Sequence, residues 1–459
     1  MTEPASKRAA LLVATLAAFL TPFMGSAVNI ALPAIGQEFA MDAILLGWVA
    51  TAYLLSAAMF LVPCGRLADI YGRKRLFTVG ILMYTLASLL LALSPSSLAL
   101  IAFRILQGAG SAMIFGTSVA ILTSVYPAGE RGRVLGFNVA AVYLGLSAGP
   151  FLGGFLTQRW GWRSVFLVNV PLGALIVLCT LWQLKGEWAG AKGERFDLAG
   201  SVPYALALSA LMYGFSLLPS PAGAWVVLLG VLGGTAFVRW ESRAPSPVLD
   251  IGLFRGNPAF AFSNLAALIN YSATAAVGFL LSLYLQYVKG LSPQDAGLIL
   301  VSQPLVQALF SPLAGRLSDR LEPRLVASAG MALNALGLAF LVFLHAGTAL
   351  APIIANLALL GFGFALFSSP NTNAVMSAVE RRAYGVASAT LGTMRLTGQM
   401  LSLGIVMLIF AVSMGRTQIT PALYPLFLRS ARAAFLIFAV LCLGGIFASL
   451  ARGNIHHNG

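Results

Sequence analysis

The chain has 459 residues, of which 59% are hydrophobic and only 9% are charged, against about 45–50% and about 25% in soluble domains. This composition excludes a soluble globular protein and is typical of a multi-pass membrane protein. The formal charge of +14 does not indicate nucleic-acid binding, because most lysines and arginines lie between apolar runs and do not cluster on polar helices. The three cysteines show no CxxC or Cys/His spacing, so no metal site and no disulfide framework are predicted.

Runs of about 20 apolar residues predict membrane-spanning helices. The first run follows the polar segment MTEPASKRAA and is long enough to span, so we expect it to be the first helix and not a cleaved signal peptide. The predicted fold class is all-α integral membrane. Fourteen spans, numbered 1 to 14 in chain order, are predicted at 9–34, 44–64, 75–94, 97–125, 133–157, 163–184, 198–218, 223–240, 258–287, 293–313, 325–345, 349–370, 384–412 and 431–451.

The basic residues test this count independently, because lysine and arginine collect in cytoplasmic loops. If the N terminus is cytoplasmic, 20 of the 28 basic residues fall in loops on the cytoplasmic side and six fall in loops on the other side. The remaining two, Arg104 and Arg395, lie within spans. This distribution predicts that both termini are cytoplasmic.

A charged phrase occurs twice. Residues 65–75 read GRLADIYGRKR and residues 315–324 read GRLSDRLEPR, and Glu-Arg pairs at 130–131 and 380–381 repeat the same offset of 250. Both phrases are predicted in cytoplasmic loops. A six-helix unit needs only about 200 residues, so the offset predicts two related six-helix bundles with spans 7 and 8 inserted between them. The predicted domains are an N-terminal bundle at 1–190, an inserted pair at 191–250 and a C-terminal bundle at 251–459.

Four stretches of the chain carry specific motifs: AVNIALP (27–33), GRLADIYGRKR, RILQGAGSA (104–112) and GLSAGPFLGG (145–154). In this order they resemble signatures of the major facilitator superfamily, in its branch of fourteen-helix drug:proton antiporters. The last of them is similar to a fifth-helix motif associated with exporters. The resemblance covers essentially the whole chain. It implies a monomer in a bacterial inner membrane that exports amphipathic small molecules by rocking alternating access, coupled to protons.

The first charged phrase also has a physical interpretation. Gly65 would let the end of span 2 approach a neighbour, and Asp69 would cap a helix N terminus or pair with arginine. Such contacts would hold two moving halves together on the cytoplasmic side, whereas the alternative is that the charges only set topology. The predicted cytoplasmic latch consists of Gly65, Asp69, Gly72, Arg73, Arg75 and, in the second copy, Asp319.

Span 5 combines a glycine ridge with a proline. Gly145, Gly149 and Gly153 share one helix face and permit close packing, and Pro150 removes a backbone donor and bends the helix. The pattern predicts a hinge or a tight seam, with plain packing as the alternative. Together with Gly154, these residues form the motif that indicates export by resemblance.

Polar residues within the spans indicate a substrate cavity. Arg104 would cost about 2.5–3.5 kcal/mol at mid-membrane unless it were paired or faced water, so we expect it to face the cavity. Gln107 shares its helix face, and Gln399 stands in a similar relation to Arg395. The alternative is that each arginine snorkels or ties helices together through carbonyls. The other predicted cavity residues are Asn29, Tyr53, Asn138, Tyr143, Asn264, Tyr271, Gln303 and Gln307. Each of these side chains could instead form an interhelical hydrogen bond.

The acidic residues depart from the family pattern. All 14 fall in loops or at helix ends, and Met24 occupies the position where the resemblance implies an aspartate. Proton coupling needs a group whose pKa changes with exposure, and arginine cannot supply one. Glu38 and Asp42, between spans 1 and 2, are the nearest candidates. A cavity with two arginines and no acid should prefer anionic or neutral amphipaths. The alternative function is therefore an exporter or facilitator of anionic or lipid-like substrates.

Other classes of protein find no support in the sequence. The spans contain no histidine cluster, paired carboxylates or metal-ligand set, and no GxxxxGK[ST] motif occurs, so neither an enzyme nor an ATPase is predicted. We expect no cofactor and no metal. The expected partners are a small amphipathic substrate, protons and the lipid bilayer, without nucleic acid.

Overall fold

The structure is a computed structural model that describes residues 4–194, 196–244, 249, 251–380 and 384–453. Within these residues, 14 helical spans are long and apolar enough to cross a membrane, which confirms the predicted fold class. The observed spans, in chain order, are Lys7–Glu38, Ala43–Tyr71, Arg73–Ala92, Ser97–Val125, Arg133–Trp160, Arg163–Trp182, Leu198–Leu217, Pro221–Glu241, Pro258–Val288, Pro293–Ser318, Pro323–Leu341, Leu350–Ser377, Val386–Ser413 and Pro421–Ala451.

Several helices extend further than the apolar runs predict. The helix of span 2 continues to Tyr71, and that of span 10 continues to Arg320, so both charged phrases begin as helix and the prediction of loops there is wrong. The helix of span 14 begins at Tyr424 instead of 431. Its first turns contain Arg429, which lies before the predicted start, and Arg432, which lies just after it. The charge of Arg432 is accommodated because its Nε donates to the Leu344 carbonyl at 2.6 Å.

Three spans consist of more than one helical piece, which the sequence did not predict. At the break in span 9, Ser402 Oγ of span 13 accepts the backbone N–H of Ala276 at 3.0 Å, so a side chain replaces a lost helical hydrogen bond. The pieces are Arg163–Leu167 and Asn169–Trp182 in span 6; Pro258–Thr274, Val277–Leu283 and a π-helical turn, Tyr284–Val288, in span 9; and Pro293–Leu300 and Ser302–Arg320 in span 10.

The spans pack as two six-helix bundles, spans 1–6 and spans 9–14, with spans 7 and 8 as an inserted hairpin. In the first bundle span 1 packs on span 5, and span 4 packs on spans 2 and 3. In the second, span 12 packs on spans 10 and 11, and span 14 on spans 9 and 11. Span 7 contacts spans 2 and 13, whereas span 8 packs mainly on span 7. The domain boundaries at 190 and 250 stay predictions.

The two bundles are hydrogen-bonded towards one side of the membrane. An even number of spans puts both termini on the same side, which we call the termini face; the other side is the opposite face. Towards the opposite face, Ser282 Oγ of span 9 donates to the Asn29 carbonyl of span 1 at 2.6 Å. Gln418 Nε2, after span 13, donates to the Ala40 carbonyl, after span 1, at 2.9 Å. The structure therefore holds the bundles together at the opposite face.

Candidate functional site

Arg104 is buried in span 4, where it ties two spans together. Its side chain is 1% exposed, its Nε donates to the Val49 carbonyl of span 2 at 2.9 Å, and its Nη1 donates to Gln107 Oε1 at 2.5 Å. The guanidinium lies over the ring of Tyr53, 4.4 Å from the centroid. A carbonyl, an amide and a π face thus stabilise the charge in place of a counter-ion. This geometry matches the alternative in which the arginine joins helices through a carbonyl.

Further hydrogen bonds extend this arrangement through the first bundle. Gln107 Nε2 donates to Ser88 Oγ of span 3 at 2.9 Å, and the Tyr53 hydroxyl pairs with Ser111 Oγ at 2.7 Å. Spans 2, 3 and 4 are therefore joined by one polar network. We call Arg104, Gln107, Tyr53, Ser88 and Ser111 the Arg104 cluster.

Arg395 in span 13 is half-buried and less completely paired. Its Nη2 donates to Thr372 Oγ1 of span 12 at 2.6 Å, while its buried Nε has no hydrogen-bond partner. The guanidinium carbon lies 5.7 Å from the ring centroid of Tyr271 in span 9, and that ring meets Phe364 edge to face at 5.2 Å. A cation with an unpaired N–H beside two aromatic rings can bind the anionic or polar end of an amphipathic molecule.

The first bundle contributes Tyr143 to the same region. Tyr143 of span 5 is half-buried and close enough to Tyr271 of span 9 for the two phenols to interact electrostatically. Gln399, one turn after Arg395, is also half-buried. Side chains from both bundles therefore converge here. We call Arg395, Thr372, Tyr271, Phe364 and Tyr143 the Arg395 site.

The other predicted cavity residues differ in exposure and pairing. Asn29 and Gln303 are half-buried, whereas Gln307 is 6% exposed. Asn138 Nδ2 donates to a carbonyl of span 1 at 3.1 Å, and Asn264 Nδ2 donates to a carbonyl of its own helix at 2.9 Å. Asn138 thus forms the interhelical hydrogen bond that was the alternative to a ligand contact, whereas the bond of Asn264 lies within one helix.

Three glycines of span 5 form a ridge against span 1. Span 1 approaches Gly145, Gly149 and Gly153 so closely that a Cβ at any of them would clash; at Gly153 it would lie 2.8 Å from the Cα of Ala27. Small residues at this spacing allow two backbones to approach each other. The ridge is therefore a packing surface inside the first bundle.

Pro150 and Gly154 of span 5 meet span 10 of the second bundle. A Cβ on Gly154 would clash with the Pro293 carbonyl, and a Cβ on Gly297 of span 10 would clash with the Pro150 carbonyl. We call this contact the cross-bundle seam. Gly297 was not predicted to take part, because the residues around it carry none of the four motifs. Any separation of the bundles at the opposite face has to open this seam.

The first charged phrase makes its contacts inside its own bundle. Asp69 accepts two hydrogen bonds from Arg73, from Nε at 3.0 Å and from Nη2 at 2.8 Å. Arg73 Nη1 donates to Ser124 Oγ of span 4 at 2.6 Å. Gly72 forms the turn between spans 2 and 3 with a φ of 117°, a conformation that favours glycine. A Cβ on Gly65 would meet no atom within 4 Å, whereas a Cβ on Gly116 of span 4 would lie 3.5 Å from the Gly65 nitrogen, so span 4 is the neighbour that passes close to Gly65.

The N terminus of span 3 is capped by an acid that sequence reasoning did not select. Glu187, in the linker after span 6, accepts the backbone N–H of Lys74 at 2.8 Å and that of Arg75 at 3.2 Å. A carboxylate at this position stabilises the exposed N–H groups of a helix. Asp69 therefore pairs with arginine, and Glu187 provides the cap. The side chain of Asp319, predicted for the second copy, lies outside the described residues.

Both acids considered for proton coupling already have partners at the opposite face. Glu38 Oε1 lies 2.6 Å from Arg163 Nη2, and Glu38 Oε2 accepts the indole N–H of Trp162 at 2.7 Å. Asp42 caps span 2 by accepting a backbone N–H of its first turn at 2.8 Å. Met24, at the position of the expected aspartate, is buried. These contacts give both acids a structural role in this conformation.

Sequence reasoning missed Thr372 and misjudged Arg452. Thr372 lies beyond the predicted end of span 12 at 370, although the polar run SSPNTN (368–373) was a usable signal. Arg452 was assigned to a loop, yet it is 2% exposed and its Nη1 donates to Asn371 Oδ1 at 3.1 Å. Burial lowers the pKa of Arg452 to about 10. No pattern in the sequence distinguished this arginine from a solvated terminal residue.

Comparison with known proteins identifies the class to which this fold and these motifs belong. The family model described as Major Facilitator Superfamily matches residues 14–262 and 263–456. The chain therefore belongs to the Major Facilitator Superfamily and is a multi-pass membrane transporter. This finding confirms the family predicted from the four motifs and the prediction that the chain is not an enzyme.

Individual relatives agree with this assignment. The chain is 34% identical over 399 residues to Multidrug resistance protein Stp of Mycobacterium tuberculosis (strain CDC 1551 / Oshkosh), which covers 85% of this chain and 73% of that protein. It is 34% identical over 408 residues to Cephamycin export protein CmcT of Amycolatopsis lactamdurans, with 87% and 84% covered. Its fold is similar to that of a bacterial homolog of the human lysosomal transporter Spinster, with a TM-score of 0.72, 16% identity and 98% of both chains covered.

Proposed function

We propose that this transporter exports amphipathic small molecules from the cytoplasm by rocking alternating access, coupled to protons. The observation that carries the proposal is the Arg395 site, where a half-buried guanidinium with an unpaired Nε lies beside Tyr271 of the second bundle, and Tyr271 in turn interacts with Tyr143 of the first bundle. A charge inside a membrane is costly and is retained where it faces a cavity or binds a ligand. A molecule bound there contacts both bundles and therefore responds to their relative movement.

The chemistry of the Arg395 site favours anionic or neutral substrates. A guanidinium donates N–H groups to carboxylate, phosphate or carbonyl oxygens, and the rings of Tyr271 and Phe364 offer apolar surface beside it. A cationic molecule would meet a like charge, and none of the 14 acids of the sequence falls in the middle of a predicted span. This observation also supports the second candidate function, an exporter or facilitator of anionic or lipid-like molecules that works without an intramembrane carboxylate.

Three observations support the direction of transport. The excess of basic residues on the termini face favours a cytoplasmic location for that face, in a bacterial inner membrane. The hydrogen bonds and the cross-bundle seam towards the opposite face favour a state that is closed to the outside. The names of the two curated relatives refer to multidrug resistance and to cephamycin export. Together they favour release of the substrate at the opposite face.

Proton coupling is supported by membership of the family branch, and the structure limits which residues could carry it. Glu38 and its partner Arg163 both belong to the first bundle, so rocking of one bundle against the other does not by itself separate them. A proton would have to compete with Arg163 for Glu38. We propose that coupling by an acid, where it occurs, involves Glu38 or Asp42 at the opposite face.

The proposal is tested by dye flux in vesicles that contain the purified protein and an imposed pH gradient. We expect anionic and neutral dyes to move against the direction of proton flow, and a cationic dye to move more slowly. If the flux of the anionic dye is unchanged after the pH gradient is collapsed, the result favours the second candidate function, a facilitator of anionic or lipid-like molecules. A preference for the cationic dye would contradict the substrate assignment.

The candidate coupling acid is tested by Glu38→Gln in the same vesicles. If Glu38 couples, the variant should lose the dependence of flux on the pH gradient. Asp295→Asn is the matched control, because Asp295 is another acid of the opposite face and lies in the first turn of span 10. Equal gradient dependence in wild type, variant and control would exclude Glu38 from coupling.

A further inference from the structure

A polar cavity lies at the end of the inserted hairpin, on the termini face. Its volume is about 640 Å³, and three arginines line it. Arg239 belongs to the last turn of span 8, Arg243 follows that helix, and Arg255 comes from the short helix Gly252–Gly256 before span 9. Thr235 adds a hydroxyl group. We call this the arginine cavity.

Helix geometry explains why these charges converge. Thr235, Arg239 and Arg243 follow one another at intervals of four residues, so they lie along one side of the helix and its continuation. The chain then returns to place Arg255 on the same cavity. All three arginines are exposed. Like charges at this spacing repel each other, and an anion between them relieves that repulsion.

Two described acids near this end of the hairpin are engaged elsewhere. Glu241 is 2% exposed and accepts the backbone N–H of Leu249 at 2.9 Å. Asp197 caps span 7 by accepting the N–H of Gly200 at 2.9 Å, and it also accepts the indole N–H of Trp240 at 3.2 Å. Among the described residues that line the arginine cavity, none is acidic. The described lining is therefore net positive, which suits an anion.

The surroundings of the cavity suit the apolar part of a lipid. In the most apolar stretch of span 8 only 17% of the residues are buried, compared with 72% in span 2. Val238, which lines the cavity, and Trp240 beside it are 45% and 50% exposed. Tryptophan is common where a span meets the headgroup layer. An anion in the cavity thus lies at the end of a helix whose sides face the acyl chains.

We propose that the arginine cavity binds the phosphate of an anionic phospholipid from the leaflet at the termini face. Basic pockets at the cytoplasmic ends of transmembrane helices recognise such headgroups, and arginine can bind phosphate oxygens in a bidentate manner. A bound lipid would anchor both the inserted hairpin and the short helix before span 9. This inference concerns the end of the hairpin and the short helix before span 9, and it does not depend on the proposed substrate site.

The test measures which lipids the full chain retains. Wild type and variants are purified from nanodiscs of phosphatidylcholine doped with phosphatidylglycerol, and bound lipids are counted by native mass spectrometry. The variant combines Arg239→Gln, Arg243→Gln and Arg255→Gln. The matched control combines Arg159→Gln, Arg416→Gln and Arg429→Gln, which removes the same charge from exposed arginines on the opposite face.

We expect wild type and control to retain phosphatidylglycerol in preference to phosphatidylcholine. The cavity variant should lose roughly a hundredfold in affinity, because each basic residue near a membrane surface contributes about a factor of five. Lysine at the same three positions should preserve most of the binding. Equal retention by wild type and the glutamine variant would overturn the proposal.

Two further outcomes keep the result unambiguous. Inorganic phosphate could raise the unfolding temperature of the wild type as much as phosphatidylglycerol does. That result would identify the ligand of the arginine cavity as a soluble anion and would overturn the lipid assignment. Should the triple glutamine variant fail to fold, Arg255→Gln alone provides the comparison, because Arg255 is exposed on a helix of only 5 residues. A measurable loss of phosphatidylglycerol from this single variant would support the site, and unchanged retention would reject it.

Discussion

Arg104 and Arg395 have similar neighbours in the sequence and different environments in the structure. Each lies inside a span, with Gln107 or Gln399 one turn further along the helix. Arg104 is 1% exposed and is satisfied by a carbonyl, an amide and a ring, whereas Arg395 is half-buried with Nε unpaired. The pairing of Arg104 shows that it holds spans together, whereas the incomplete pairing of Arg395 is what supports its proposed role as the ligand-binding arginine.

Arg104→Ala should have the largest effect, and the effect should be on folding. The change removes two hydrogen bonds of a charged group and leaves a void between spans, at a cost of about 3–5 kcal/mol in the free energy of unfolding. Thermal unfolding of the purified protein should show a large decrease in midpoint. The unfolding midpoint of Arg104→Lys should lie between those of wild type and Arg104→Ala, since lysine keeps the charge but lacks the planar guanidinium group. If the variant unfolds like wild type but no longer transports, Arg104 belongs to the substrate site, and the contrast between a structural Arg104 and a ligand-binding Arg395 is wrong.

Gly154→Ala should have the next largest effect, on the balance between conformations. The added methyl group overfills the cross-bundle seam, at a cost of about 1–3 kcal/mol to the state in which the opposite face is closed. Spin labels at Ala40→Cys and Gln418→Cys should then report a longer distance, and the native cysteines, which are buried, should not compete for label.

The control for this change is Gly136→Ala, in the same span. A Cβ on Gly136 would meet no atom within 4 Å, so the label distance should stay at its wild-type value. An unchanged distance in Gly154→Ala would show that the seam does not limit opening. A longer distance would show that the bundles move apart here, which would affect the Arg395 site and not the Arg104 cluster, because the Arg104 cluster lies wholly within the first bundle.

Arg395→Ala should affect transport more than stability. It removes one side-chain hydrogen bond, worth about 1 kcal/mol, while flux of an anionic dye should fall about tenfold because the cation that favours it is gone. Arg395→Lys should retain part of the flux. Unfolding midpoint and dye flux are measured on the same preparation. Normal flux per folded molecule with a lower midpoint would make Arg395 a structural residue like Arg104.

Asp69→Asn should have the smallest effect on stability. Its ion pair with Arg73 is partly exposed, so its loss should change the free energy of unfolding by less than about 1 kcal/mol. The transport rate should nevertheless fall if the phrase acts as a latch. Glu130→Gln, which removes an exposed ion pair with Lys7 on the same face, is the control. A wild-type rate in both variants would leave the charged phrase as a topological signal.

The sequence predicted the fold more completely than the site. Fourteen spans, the duplication and the glycine ridge of span 5 follow from hydropathy and spacing, and the structure has the spans close to the predicted ranges. The breaks in spans 9 and 10 were missed, because a short interruption does not alter an apolar run. Of the Arg395 site, Tyr143 and Tyr271 were selected from the sequence, whereas Phe364 and Thr372 were not.

By itself, the sequence determined the number of spans, the family and the positions of the two costly arginines, because hydropathy and motif spacing are local properties of the chain. Only the tertiary structure decided that Arg104 reaches Val49 and that Arg395 reaches Thr372. It also decided that two arginines at the end of the inserted hairpin share one cavity with Arg255 of the short helix before span 9. These outcomes depend on how spans distant in the chain pack against each other, and such pairings leave no periodic signal in a single sequence.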